Sequence, residues 1–269
     1  MRTRFFSRSS LQRIKRKGNV PVPQPVAFPL RIAYASKSMF RLSRNPHDFQ
    51  FPPVEMASPE GLLAVGGDLQ PERLLEAYRH GIFPWYSDDQ PILWWSPDPR
   101  AVLFPNKLHI ARSLERTISR GTFTLTLDTC FRDVMIQCAG PRPQYPDGGT
   151  WITAAMIEAY TRLHDLGYAH SIETWQEGQL VGGLYGVAIG GAFFGESMFS
   201  RATDASKVAL VCLVRQLRAW GFMIFDCQQS SPHVLRFGAE EIPRQEFVKH
   251  LAIAVAFPNR HGRWEFGDL

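Results

Sequence analysis

Gly221-Phe222-Met223-Ile224-Phe225-Asp226-Cys227-Gln228 follows a helix-like segment and has the length and apolar content of a strand. Successive strand residues face opposite sides of a sheet. Asp226 and Gln228 are therefore predicted on one face, with Phe225 and Cys227 on the other. Polar residues are often simply exposed, so the pair fits a solvated strand end as well as a polar site. A second strand-like run, Ala192-Phe193-Phe194-Gly195-Glu196-Ser197, also ends near a carboxylate. The segment between the two runs reads as a helix, capped by Asp204 or Ser206 and closed by Gly221. A helical crossover lets both strands lie parallel and adjacent, which would gather Glu196, Asp226 and Gln228.

Working outward, Glu177-Gly178 and Gly190-Gly191 are hairpin signals separating strands 169–175, 179–188 and 192–198. A helix ending at Gly167 precedes them, with Met156, Ile157, Tyr160 and Leu163 on its apolar side. Further back, Thr122–Leu127 alternates as a strand. Leu108–Arg120 reads as a helix that places Arg112, Arg116 and Arg120 on one face. A last helix starts near Arg244. The layout from residue 108 is mixed α/β (α+β) with an antiparallel core, an arrangement shared by GNAT-like acyltransferases. Upstream, Gly61–Asp68 reads as a strand and tight turn. Pro71 opens a helix that Gly81 ends. Three prolines around Trp94 and Trp95 predict a rigid loop there, with a domain boundary near Arg100. The expected organisation is a basic, disordered extension (1–45), a small N-terminal domain (46–99) and a catalytic domain (100–269).

The net charge of +5 over 269 residues conceals an asymmetry. Residues 1–45 carry eleven Lys and Arg and no acid, which leaves 19 bases against all 25 acids in the remainder, a net of −6. The link from high pI to nucleic-acid binding therefore applies to the tail and not to the body. The Arg- and Ser-rich tail also fits a transit peptide or a start codon upstream of the true one, Met39. No apolar run is long enough to span a membrane. The four cysteines form no C-x-x-C pair and H-E-x-x-H is absent, so no metal site is expected and a reducing cytoplasm is.

The segments G-L-L-A-V-G-G-D-L (61–69), G-I-F-P-W-Y (81–86), I-L-W-W-S-P-D-P-R (92–100), G-T-W-I-T (149–153), A-H-S-I-E-T-W (169–175), L-V-G-G-L-Y-G-V (180–187), G-E-S-M-F-S-R (195–201), A-S-K-V-A-L (205–210) and D-C-Q (226–228) together resemble the leucyl/phenylalanyl-tRNA–protein transferases. The resemblance spans about residues 50–250. It implies a small N-terminal domain joined to a GNAT-like domain. It also implies transfer of Leu or Phe, and Met less well, from aminoacyl-tRNA to the N-terminal Arg or Lys of acceptor proteins, marking them for N-degron proteolysis. The enzyme would be a cytoplasmic monomer needing neither ATP nor cofactor. The sequence departs from the family at Tyr145-Pro146-Asp147-Gly148-Gly149, at Leu213 and Leu217 where aromatic residues are common, and at Gln229-Ser230-Ser231-Pro232.

The chemistry would be attack of an α-amine on the ester of the charged tRNA, which needs positioning and a proton acceptor. A carboxamide is not basic, so Gln228 is expected to orient the amine. Asp226 is expected to accept its proton, with Glu196 as second candidate. By resemblance, Trp85 and Trp151 stack the terminal adenine with Tyr78 nearby, and Leu184, Phe193, Leu213 and Leu217 hold the donor side chain. Arg112, Arg116 and Arg120 fit acceptor-stem phosphates or a solvated helix face. A coenzyme A-dependent acyltransferase of the same fold is the alternative, but its Gly-rich pyrophosphate loop is replaced by Ser200-Arg201-Ala202-Thr203-Asp204-Ala205. A cysteine hydrolase using Cys227 and His233 is a third possibility, which strand alternation disfavours.

If the tail is a mis-assigned start, a chain beginning at Met39 keeps the melting temperature, turnover and tRNA affinity of the full chain. Loss of a tRNA clamp would instead flatten the salt dependence of binding by about 0.9 in log–log slope per phosphate contact. Titration with charged tRNA at two salt concentrations separates the two.

Overall fold

Strands Ala192–Ser200 and Ile224–Gln228 do run side by side and parallel, with Ile224 opposite Ala192, Phe225 opposite Phe193 and Asp226 opposite Phe194. The helix between them, Ala205–Ala219, makes the crossover. The structure is a computed structural model describing residues 39–45, 47–140 and 150–266. The readings made on the tail before Met39 and on the proline-rich loop at 141–149 lie outside the described residues.

In chain order the elements are β1 (Phe40–Leu42), β2 (Leu62–Gly66), α1 (Pro71–Arg79), β3 (Phe83–Pro84), β4 (Leu93–Trp95) and β5 (Arg100–Leu103). Next come α2 (Arg112–Ser119), β6 (Thr124–Leu127), α3 (Phe131–Cys138), α4 (Ala154–Asp165), β7 (Ala169–Gln176), β8 (Gln179–Ile189) and β9 (Ala192–Ser200). The chain continues through α5 (Ala205–Ala219), β10 (Ile224–Gln228), α6 (Pro232–Arg236), β11 (Glu240–Ile242) and α7 (Arg244–Val255). Among the described residues there are two sheets, one ordered β1-β2-β4-β3 and one ordered β11-β5-β10-β9-β8-β7-β6. The first uses residues 40–95 and the second 100–242, so the chain changes sheet between Trp95 and Arg100. The mixed α/β layout is thus an antiparallel run β6-β7-β8-β9 extended by a parallel crossover.

Local chemistry explains most element ends. Pro71 sits in the first turn of α1, where its missing N–H costs nothing. Gly81 then takes φ 73°, and an added Cβ would meet the Phe247 ring at 2.6 Å. The Thr153 hydroxyl accepts from Met156 N–H and caps α4.

Several expectations need correcting. Asp204 occupies the N-cap of α5 but in the left-handed region, φ 67°. Its carboxylate accepts from Lys207 Nζ at 2.7 Å instead of capping the helix. The helix expected at Leu108 begins at Arg112, because His109 N–H is committed to the Phe237 carbonyl at 2.9 Å. Trp94 and Trp95 lie in strand β4, not in a loop. The prolines flank that strand, and both indole N–H groups find carbonyls, Gly66 O at 2.9 Å and Trp85 O at 2.7 Å. Helices α3 and α6 and the short strands β1, β5 and β11 were not foreseen.

Leu184, Phe193, Ile172 and Phe225 pack with Val208, Leu213 and Leu217 of α5 in one apolar cluster. Helices α1, α3, α4 and α7 also pack on the strands. Gly186 lies where β8 crosses β9, and a Cβ there would run into the Phe194 carbonyl oxygen and come within 2.6 Å of the Phe193 ring. Gly186→Ala is expected to cost about 1–3 kcal/mol by overpacking, seen as a lower urea midpoint at unchanged m-value.

Candidate active site

Two irregularities in neighbouring strands build the site. In β9, Ser197 opposes Tyr185 while Gly195 opposes Gly186, so Glu196 is the extra residue of a β-bulge. Bulges re-aim side chains. Gly195 permits this one: a Cβ there would come within 2.7 Å of the Phe225 ring. In β10 the register against β5 shifts between Asp226 and Gln228, and Gln228 has φ 62°. Simple alternation therefore fails at both positions, and each for a structural reason.

Asp226 is fully buried. Its carboxylate accepts from Arg100 Nε at 2.9 Å and Nη2 at 2.6 Å, a bidentate pair with a guanidinium only 1% exposed. Oδ1 also accepts Gln228 N–H at 2.8 Å, which holds the left-handed backbone of that residue. Arg100 lies over the faces of Phe83 (5.0 Å) and Phe247 (4.5 Å). Among the described residues its Nη1 has no hydrogen-bond partner, so these ring faces supply part of what water would have given the charge.

Glu196 has different company. Its Oε1 accepts from Tyr78 Oη at 2.7 Å and from Gln228 Nε2 at 2.7 Å, and its Oε2 from Tyr160 Oη at 3.4 Å. The two tyrosine hydroxyls also bond to each other. No cation is among these partners. Burial pushes the Glu196 carboxyl up to about 7, even though the Tyr78, Gln228 and Tyr160 bonds pull it down; the Asp226 charge adds to the rise. Burial and the Glu196 charge also push both phenols well above their ordinary range. Both keep their protons; with one each, Tyr78 donates to Glu196, and Tyr160 donates to the Tyr78 oxygen or to Glu196, one at a time. A half-ionised carboxylate held beside an oriented carboxamide can receive a proton near neutral pH.

Comparison with known proteins shows the family. A family model described as leucyl/phenylalanyl-tRNA protein transferase matches residues 102–252, and the N-terminal domain model of the same family matches residues 67–98. The leucyl/phenylalanyl-tRNA–protein transferase of Stutzerimonas stutzeri is 59% identical over 214 residues, covering 79% of this chain and 94% of its own. That of Nitrosomonas europaea is 57% identical over 221 residues, covering 81% of this chain and 93% of its own. The chain belongs to the leucyl/phenylalanyl-tRNA–protein transferase family. Among solved structures, a GCN5-related N-acetyltransferase from Kribbella flavida aligns with a TM-score of 0.33 at 12% identity, over 64% of this chain and 61% of that chain. At that distance it adds nothing to the strand order.

The other residues singled out in the sequence of this family member fall in four places. Tyr78 is 1% exposed and packs on Phe194 at 5.0 Å, so it belongs to the Glu196 network and offers no free ring to a base. Trp85 and Trp151 are half-buried, and Trp85 meets Trp95 edge-on at 5.7 Å. Leu184, Phe193, Leu213 and Leu217 are all enclosed in the cluster around α5. Arg112, Arg116 and Arg120 are exposed along α2. Burial pushes the Cys227 thiol far up, the opposite of what a nucleophile requires. Sequence reasoning missed Arg100 and Tyr160. Tyr160 was read as one member of an apolar helical stripe, and Arg100 as a domain edge. A single arginine inside a stretch of otherwise buried strand was the available signal.

Removing one member of the Arg100–Asp226 pair strands a buried charge. Asp226→Asn and Arg100→Met are each expected to destabilise by about 3–5 kcal/mol. The double variant should recover much of that loss, and a double-mutant cycle by chemical denaturation measures the coupling.

Proposed function

We propose that this transferase moves Leu or Phe, and Met less well, from aminoacyl-tRNA to the N-terminal Arg or Lys of acceptor proteins, which directs them to N-degron proteolysis. Family membership supports the reaction class, aminoacyl transfer from tRNA to protein. The observation that carries the chemistry is Glu196, bonded to Gln228 and two phenols and titrating at about 7.

An α-amine has a pKa of about 7.7–8.0, so roughly a tenth to a sixth is neutral at pH 7. The neutral amine attacks the ester carbonyl carbon, forming the C–N bond. The amine proton passes to Glu196, which returns it to the departing oxygen as the ester C–O bond breaks, so the ribose leaves as a hydroxyl and Glu196 is again ionised. With its Nε2 held by Glu196, Gln228 offers Oε1 to the incoming amine. Asp226 is already shared between Arg100 and Gln228 N–H, so its role is to fix Gln228, and Glu196 replaces it as the preferred proton acceptor. Trp85 and Trp151 stack the terminal adenine, a contact worth about 1–3 kcal/mol per base. The donor side chain backs onto the apolar cluster of Leu184, Phe193, Leu213 and Leu217. Arg112, Arg116 and Arg120 meet stem phosphates. Residues 46–99 act as a small N-terminal domain to the catalytic domain 100–269, and the enzyme works as a cytoplasmic monomer.

The coenzyme A reading loses ground at the start of α5. Ser206 N–H is taken by Ser200 Oγ at 3.3 Å and Val208 N–H by Asp204 O at 2.9 Å. The Asp204 carboxylate would also repel a pyrophosphate there.

Labelled Leu should pass from Leu-tRNA to an Arg-initiated peptide without ATP or acetyl-CoA; no transfer would sink the reading. Turnover should rise with pH through about 7 as Glu196 ionises, and Glu196→Gln should lose that limb and most of the rate. Stability gives an independent check. The unfolded carboxyl ionises at about 4.3 and the folded one at about 7. Between these values the unfolded chain binds fewer protons, so stability falls as pH rises through the window. Glu196→Gln removes that fall.

A further inference from the structure

A cleft of about 600 Å³ opens at the end of the sheet opposite the Glu196–Gln228 site, where the β8–β9 turn meets the end of α5 and the C-terminal segment. Its volume is that of a ligand site. Trp220, Asn259, Arg260, His261, Arg263 and Trp264 contribute to its wall, and no acidic residue is among the lining. That is notable in a body with a net charge of −6.

The segment carrying the cations is fastened nearly residue by residue. Asn259 Oδ1 accepts Gly190 N–H at 2.7 Å. The Arg260 guanidinium lies over the Trp220 ring at 4.1 Å, and the His261 ring meets Tyr168 edge-on at 4.9 Å. Gly262 turns at φ 86° against Gly167, so close that a Cβ on Gly167 would sit 2.6 Å from Gly262 N. Trp264 N–H donates to buried Asp128 at 2.7 Å, and its ring stacks on His170 at 3.6 Å. Arg260 and Arg263 form no ion pair among the described residues and both are exposed. Cations held on a fixed strap and left without counter-ions are prepared for an anionic ligand. The segment lies beyond the 102–252 match of the family model. It is also remote from the chemistry: Glu196 lies five residue steps along β9 from Gly191, roughly 16 Å at about 3.3 Å per residue. A ligand reaching both ends of the sheet must be long.

We propose that this cleft binds the phosphodiester backbone of the tRNA donor, a contact separate from the α2 arginines and from the aminoacyl end. The proposal rests on the aminoacyl-tRNA reading above, and it assigns the cleft to positioning the body of the donor rather than to the transfer step. Contacts of this kind set register without reading sequence.

The test compares wild type, Arg263→Ala and Arg260→Ala/Arg263→Ala. Arg263→Ala is the safer variant for folding, because its side chain makes no hydrogen bond or ion pair among the described residues. Dissociation constants for Leu-tRNA are measured at two salt concentrations, and turnover is measured with a minimal aminoacyl-adenosine donor. The expected result is weaker tRNA binding with a log–log salt slope shallower by about 0.7–0.9 per lost contact, and unchanged turnover on the minimal donor. Unaltered affinity and slope in both variants overturn the proposal. Inorganic phosphate at low millimolar concentration that stabilises wild type but not Arg263→Ala, without competing with Leu-tRNA, would assign the cleft to a free anion and also overturn it. Failure of wild type to use Leu-tRNA sinks the reaction reading instead, so the two failures are distinguishable.

Discussion

The Asp226 carboxylate has three donors and each fixes a different part of the site. Two come from Arg100, the first residue of the strand after the chain changes sheet, and one from the backbone of Gln228. Outside glycine, a left-handed backbone is uncommon and needs support. The Asp226 bond supplies that support and so sets where the Gln228 carboxamide goes. Arg100 can be fully desolvated because the carboxylate takes its fork and aromatic faces cover its plane. A lysine there would keep the charge but lose both the fork and the stacking. The pair is better understood as a device for specifying geometry than as a source of stability, since buried ion pairs often do no better than apolar replacements.

Two carboxylates in adjacent parallel strands thus follow opposite courses. Asp226 meets a guanidinium, and its charge is committed. Glu196 meets only neutral donors, so desolvation dominates and its proton affinity climbs to about 7. A carboxylate locked in a bidentate ion pair and one held only by neutral donors are candidates for different roles. Here the difference follows from which elements reach each carboxylate. α1 and α4 bring Tyr78 and Tyr160 to Glu196, whereas β5 brings Arg100 to Asp226.

The crossover between β9 and β10 was legible because hairpin signals, a helical segment and two apolar runs leave few topologies. The convergence of Glu196, Asp226 and Gln228 followed from it. Their orientations were not legible, because period-2 alternation assumes an unbroken ladder and both strands break theirs at the site. A bulge depends on long-range packing, here the Phe225 ring against Gly195, and no local pattern encodes it. The same limit explains Tyr160. On a helix it shares the spacing of Met156 and Leu163, and only the tertiary fold shows that its hydroxyl reaches a carboxylate. Helix α3 escaped notice because its eight residues fall between a strand and a proline-rich loop, too short for a periodic signal to stand out. Tyr78 was placed beside the stacking pair by family resemblance, and in the fold it is buried with its hydroxyl on Glu196.

Charge distribution closes the physical account. A body with excess acid attracts a basic peptide N-terminus but repels a nucleic acid, so cations facing a tRNA must be grouped where local field outweighs the net charge. At a Debye length of about 8 Å in physiological salt, a distant excess of carboxylates is largely screened while neighbouring arginines act together. The α2 ridge groups three arginines along one exposed helix. The C-terminal strap groups two with a histidine over four residues at the far end of the sheet. Of the two site carboxylates Asp226 is fully buried and Glu196 partly so, where solvent screening is weaker than at the surface. A body with a net charge of −6 is therefore compatible with the proposed anionic donor and cationic acceptor at once, provided that the two kinds of charge occupy different parts of the sheet.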